Sequence, residues 1–449
     1  MKKKLAMLLV GAMMSVMLGG CGTTEEVQSD VVSTEEVTEV VESVEVVEEV
    51  EPEEVVQLRF SWWGSDDRNE LTIEAIEYYE SLNPNVDIVP EYAGWDGYEE
   101  KFMAQLAGEN APDIMTLVAE WYPAIIEADG FYDLTDKIDL SGHNETIVEN
   151  CTYNGQVLGV NMSVSSYGFS YNKTLLDELG LEVPTGDYTW SEIFELFAQV
   201  YENSNGEVYG IPDLRVAGPA WVMEAYGLTE LQKEEPYMMS DTEITMTGDD
   251  VIAFMQRMEE LPEGSMLSAA ESLTIDQHTM SACANRQTAF EITAFGSFSA
   301  LQAQTEDELG LLPYPVGPNG ETGNTARPGI IMSVANNSEY PEEAIAFIDW
   351  FTNSEEAARI LTLTRGVLPT EVQRNAVTDL LTETDLVMSN ATDIVYSAEL
   401  HTYSSGPLGG SDVRDIALQK IGEMVAFGEL TAEESGAEFD KLVEFYVTQ

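Results

Sequence analysis

His143, His278 and His401 stand far apart in the sequence, and Cys151 and Cys283 are the only cysteines beyond Cys21. A histidine-based metal site or nucleophile therefore has almost no support, and two cysteines make neither a zinc cluster nor a disulfide framework. No phosphate loop, dinucleotide fingerprint or serine nucleophile elbow is present, so neither a cofactor nor a metal is expected. The residues with chemistry to offer are of another kind. RFSWWGSDDR, residues 59–68, spends two of the chain's seven tryptophans at the end of an apolar run, directly before glycine and charge. Aromatic faces next to carboxylate and guanidinium groups can cover an apolar surface and hydrogen-bond a polar rim.

Alternating strands and helices must position these groups. Leu58, Phe60 and Trp62 share one face of a strand, which puts Trp63 on the other. Ser65 offers a helix N-cap, Asp66 and Asp67 suit the positive helix end, and Leu71, Ala75, Tyr79 and Leu82 follow at helical spacing. A strand near 86–91, a loop with Trp95, a helix from about Tyr98 and a strand at 113–117 repeat the scheme. Further on, SYGFSYNKTLLDELGL reads as strand and helix, and TWSEIFELFAQVY as a helix opened by Thr189. LGLLPYPVGPNG reads as a crossing segment, GIIMSVA as a strand, and PEEAIAFIDWFTNSEEAARILTL and EESGAEFDKLVEFYV as helices. The alternation predicts an α/β fold with mostly parallel strands covered by helices.

The first residues, MKKKLAMLLVGAMMSVMLGGC, place three lysines before an apolar run from Leu5 to Leu18 that is too short to span a bilayer. They read as the signal peptide of an exported chain, residues 1–20. LGGC at 18–21 resembles a bacterial lipobox, which implies diacylation of Cys21 and stable attachment to the cell membrane; ordinary cleavage near a lone cysteine is the alternative. Residues 23–56 hold 13 acidic residues and no basic one, a density that suits a solvated tether within 21–56 better than a packed core, with a helix at VVEEVEPEE as the alternative. The remaining 393 residues exceed what one core usually organises. They carry a formal charge of −53, which excludes nucleic acid as a partner and disfavours an anionic ligand.

From about residue 57 to the C-terminus the chain resembles the extracellular solute-binding proteins of ABC importers, in their sugar-binding class. The resemblance rests on WWGSDDR, YAGWDGYEEKFMAQLAGENAPDIM, SYNKTLLDELGLEVPTGDYTW and AIAFIDWFTNSEEAARILT, in that order and spacing behind a lipobox. It implies a periplasmic-binding-protein-like fold of two discontinuous α/β lobes around a ligand cleft. Residues 57–163 with 313–342 would form the N-terminal lobe, and 164–312 with 343–449 the C-terminal lobe. It also implies a monomeric, non-catalytic receptor that closes on a carbohydrate and passes it to a membrane-embedded permease.

A pyranose has an apolar C–H face and a hydroxyl rim, so rings and polar groups at the cleft are the expected ligand contacts. Trp63 is expected to face the cleft and Trp62 the core. Asp66 and Arg68 could bond hydroxyls, Asp66 serving otherwise as a helix-start charge. Trp95 in AGWDGY either contacts the ligand or packs, and Glu120 and Trp121 in VAEWYP combine an acceptor with a ring. Tyr167 at the lobe crossing either meets the ligand or packs in the hinge, and Trp221 in GPAWVMEAYG is either core or the facing ring platform. Phe295, in ITAFGSF, stands where the family often carries a Gly-Ser-Trp-like turn, a departure that puts stacking there in doubt. Arg327 either reaches the ligand or pairs with an acid, Trp350 fits a helix core, and the loop at 401–412 could finish the pocket. Two other readings stay open: a cationic ligand such as a polyamine, with Asp66 and Glu120 as counter-ions, and a surface glycosidase.

Overall fold

The computed structural model describes residues 55–234, 237–275, 280–398 and 400–447. The signal peptide, Cys21, the acidic tether and His278 lie outside the described residues.

Strand β1, Val56–Trp63, buries Leu58, Phe60 and Trp62 completely on one face. Gly64 ends it, and the Ser65 hydroxyl then accepts the Arg68 N–H at 3.4 Å, capping the helix Asp66–Leu82 with Asp66 and Asp67 in its first turn. The helix returns the chain so that β2, Val86–Ala93, runs parallel to β1 from Val56↔Val86 to Trp63↔Ala93. After the helix Tyr98–Ala107, β3, Ile114–Leu117, lies parallel on the other side of β1. All three strands therefore end at one edge, and the loops that follow carry Trp95, Glu120 and Trp121. In open α/β sheets this carboxyl edge is where ligands collect.

The small hairpin of β4, Thr152–Tyr153, and β5, Gln156–Val157, leads into β6, Val160–Ser165. Only Ser166 separates β6 from β7, Tyr167–Asn172, which already belongs to a second sheet. There β7 lies between β8, Phe290–Ala294, and β9, Leu309–Pro313, antiparallel to both. The chain crosses back between Pro313 and Thr325 into β10, Thr325–Val334, which pairs antiparallel with β3 and β6 and parallel with β11, His401–Thr402. The first sheet has the order β11-β10-β3-β1-β2 with β6 also on β10.

The fold is α/β as expected, but the strands are not mostly parallel. Among the named strands parallel pairing is confined to β1 with β2 and β3 and to the short β11 on β10, whereas β10, entering from the other sheet, pairs antiparallel with β3 and β6, which needs no helical crossover.

Each sheet has its own core. Phe60, Trp62, Phe347 and Phe351 pack under the first, and Phe169, Trp190, Phe197 and Phe290 under the second. A third cluster takes Val164 from β6 together with Leu309 and Leu311 from β9, and so lies where the two meet. The helix Pro341–Asn353 sends Phe347, Ile348 and Phe351 into the first core. A lobe boundary at 342/343 would cut this helix from the sheet it covers. Trp350 on the same helix is half-buried against Tyr78 and Tyr79, and 401–402 is a strand rather than loop.

Candidate functional site

Two aromatic groups form beyond the carboxyl edge of the first sheet. In one, Trp63 meets Trp95, Tyr98 and Trp121 with ring centroids 5.1, 5.2 and 5.9 Å apart, and Trp95 stacks on Trp121 at 5.8 Å. Trp63 is only 9% exposed and Trp95 is 53% exposed. Trp63 does leave the face that Trp62 shares with Phe60, but most of its ring is covered by neighbouring rings, and Trp95 is the surface they offer. Trp121 borders a cavity of about 280 Å³ together with Glu99, Met103, Glu120, Leu408 and Asp412.

The second group is built around Trp221. Gly218, in the left-handed conformation at φ 66°, and Pro219 at the first position start the helix Pro219–Thr229 and set Trp221 in its first turn. Tyr167 stacks on Trp221 with centroids 4.4 Å apart and planes 14° from parallel. The Arg327 guanidinium lies 4.2 Å from both the Trp221 and the Tyr403 ring centroids, and Arg414 lies 4.9 Å from Trp221. Tyr167 and Trp221 border a cavity of about 410 Å³ with Gly218, Ile292, Ala294 and Ser297.

Charge joins the groups. Arg327 donates to Glu224 at 2.7 Å and lies 3.8 Å from Glu120, while Arg414 lies 3.3 Å from the same Glu120 oxygen. The Tyr403 hydroxyl donates to Glu120 at 2.8 Å and accepts from Arg414 at 2.7 Å. Arg414 also holds Asp415 with two bonds of 2.8 Å from a π-helical turn, Val413–Ala417. Burial works against an ionised Glu120, but the charges of Arg414 and Arg327 and the Tyr403 O–H outweigh it and hold its pKa below the ordinary carboxylate value. Burial likewise opposes the Arg327 charge, and Glu224, Tyr403 and Glu120 together more than restore it.

Of the residues selected from sequence, Glu120, Tyr167, Trp221 and Arg327 come together in one network, and Trp63, Trp95 and Trp121 in the adjoining ring group. Three do not join them. Asp66 is exposed in the first helical turn, where its charge complements the helix dipole. Arg68 bonds the Thr364 carbonyl at 2.9 and 3.2 Å and that of Trp63 at 3.3 Å, and its stem fills the space a Cβ on Gly64 would need. Phe295 is 1% exposed and packs in the third core, because the chain turns inward after β8. Asp66→Asn is accordingly expected to leave ligand affinity within about twofold and to lower stability by about 0.3–1 kcal/mol, checked by calorimetric titration and urea unfolding.

Sequence reasoning missed Glu224, Arg414 and Asp415, and took Tyr403 only as part of a loop. Scarcity was the available signal: with 19 basic against 82 acidic residues, each arginine near an aromatic segment merits scrutiny. A further cavity, about 690 Å³, is lined by Tyr122, Glu127, Glu149, Tyr153, Asp241 and Tyr403 among others; it reaches the 401–412 segment, through Tyr403 to Leu408, but none of the residues selected singly from sequence. Among the described residues no cluster of histidine, cysteine, aspartate and glutamate could hold a metal ion.

Two sheets with separate cores, joined by strand-to-strand crossings and bridged by charged and aromatic side chains, define a two-part α/β binding protein. Residues 74–379 match the family of bacterial extracellular solute-binding proteins, and the chain belongs to it. It is thus a solute-binding component of ABC transport, acting outside the cytoplasm.

The fold is also that of solved relatives. An extracellular solute-binding protein of family 1 from Alicyclobacillus acidocaldarius is 19% identical over 89% of this chain and 100% of its own, with a TM-score of 0.71. A periplasmic oligogalacturonide binding protein from Yersinia enterocolitica, solved with saturated digalacturonic acid, is 20% identical over 87% and 99% at 0.72. An ABC substrate-binding protein from Listeria monocytogenes, solved with cycloalternan, is 19% identical over 87% and 98% at 0.69.

Proposed function

We propose that this protein is a carbohydrate receptor, held at the outer face of the cell membrane by a lipid on Cys21, that delivers a sugar or oligosaccharide to an importer permease. The observation that carries the reading is the Tyr167–Trp221 ring pair bordering a 410 Å³ cavity, beside arginines already neutralised by carboxylates. A cavity of that size lies within the range for small-molecule sites. Its rings suit the C–H face of a sugar, and the polar groups around them suit hydroxyls. The names of the Yersinia and Listeria relatives, an oligogalacturonide binder and a cycloalternan complex, support the same ligand class. In this reading the lobes are the two sheets with their cores, and Glu120 contributes to holding them together when ligand is bound.

The cationic-ligand reading is weakened by Arg327. Its guanidinium takes the place between Trp221 and Tyr403 that a ligand cation would need, and Glu120 and Glu224 already have partners. The glycosidase reading needs a carboxyl group with a raised pKa facing a second, free carboxylate. Glu120 is shifted the opposite way, and Glu99, the carboxyl group that burial does raise, lines the 280 Å³ cavity rather than the one bordered by Tyr167 and Trp221.

A thermal-shift screen of mono- and oligosaccharides and polyamines tests the proposal, since a ligand bound only to the folded state raises its melting temperature. A saccharide should raise the midpoint to nearly the same extent at low and high salt. A response to polyamines alone, fading with salt as exposed ion pairs do, would replace this reading with the cationic one.

A further inference from the structure

Ser166 lies where the chain passes from the first sheet to the second, and Pro313 to Thr325 is where it returns. The two crossings and the helix Pro219–Thr229 border a cavity of about 10 Å³ lined by Ser166, Glu224, Tyr314, Thr325 and Arg327 among others. Tyr314 and Thr325, only 4% and 6% exposed, border it, and their hydroxyls are buried without a hydrogen-bond partner among the described residues. Tyr167 and Trp221 border this cavity as well as the 410 Å³ one.

Buried hydroxyls are costly when unpaired, and a polar cavity of one probe sphere is the least that holds a single oxygen with two to four partners. Here the partners are two hydroxyls, each able to donate and accept, and the Glu224 carboxylate, one oxygen of which receives Arg327 at 2.7 Å. We propose that this niche binds one hydroxylic group, which donates to Glu224 and is hydrogen-bonded by Tyr314 and Thr325. The group ties the crossings to the carboxylate that orients Arg327 against Trp221. Solvent water and a hydroxyl of the bound ligand offer the same chemistry. The water source is independent of the ligand reading; the ligand source rests on it.

Crystal structures of the full chain without ligand, and with a saccharide that raises its melting temperature, distinguish the sources. An oxygen within about 3.2 Å of both hydroxyls in the ligand-free crystal identifies water, and a saccharide oxygen appearing there only in the complex identifies the ligand. No oxygen in either crystal overturns the proposal.

Variants supply a second readout. Thr325→Val and Tyr314→Phe are each expected to lower the thermal midpoint by about 1–2 °C, because each leaves the remaining hydroxyl with fewer partners. The double variant should be no less stable than the weaker single one, since an apolar niche makes no polar demand. Strictly additive losses would also overturn it.

Discussion

Arg327→Met should lower the free energy of unfolding by about 3 kcal/mol, the order expected when one partner of a buried ion pair is removed, and weaken ligand binding more than tenfold. The Arg327 side chain is 8% exposed, and its guanidinium lies against two rings and donates to Glu224. Methionine fills much of the stem volume but leaves Glu224, whose side chain is 13% exposed, without its cation. Arg414 still neutralises Glu120, which is 24% exposed, so solvent and Arg414 keep the loss from being larger.

Arg327→Lys should fall between the two, because an ammonium keeps the charge but not the planar fork that meets carboxylate and rings together. Combining Arg327→Met with Glu224→Gln should recover part of the loss, since the unpaired charge goes with its partner. Urea unfolding measures the stability and titration calorimetry the affinity. A methionine variant as stable as the parent would show that the pair contributes nothing net.

Trp221→Ala should reduce ligand affinity by at least about 30-fold, the loss of about 2 kcal/mol or more typical of a central aromatic anchor. Trp221 is half-buried and stacks on Tyr167, so removing it takes away one ring of the pair and frees the other to reorient. Trp221→Phe should retain most of the affinity, which separates the need for a ring face from the need for an indole. Unaltered affinity in the alanine variant would remove Trp221 from the site. Trp63 is a poorer probe than its sequence context suggested. At 9% exposure and in contact with three rings, its truncation would leave a core cavity and confuse stability with binding.

Local signals were legible wherever a neighbour in the chain decides the outcome. The alternation of Leu58, Phe60 and Trp62, the Ser65 cap, the Thr189 capping box completed by Glu192 and the Gly218-Pro219 helix start all form as their residue types predict. The resemblance of WWGSDDR and its companion phrases led to the family and the α/β class. Phe295 is instructive in the other direction. It occupies a position suggested by family pattern, but its large apolar ring gains more from burial in the third core than from facing a cleft.

The sequence by itself determined the alternation of strands and helices, the strand edge from which Trp95, Glu120 and Trp121 project, and the excess of acid that leaves few cations to distribute. Only the tertiary structure decided that Arg327 and Arg414, 87 positions apart in the numbering, converge on Glu120 and Trp221. Hydrophobic periodicity and caps are set by contacts a few residues apart, and so leave a trace in local order. A buried charge network is fixed by which distant segments the two crossings bring together, and by the need of each desolvated charge for a partner.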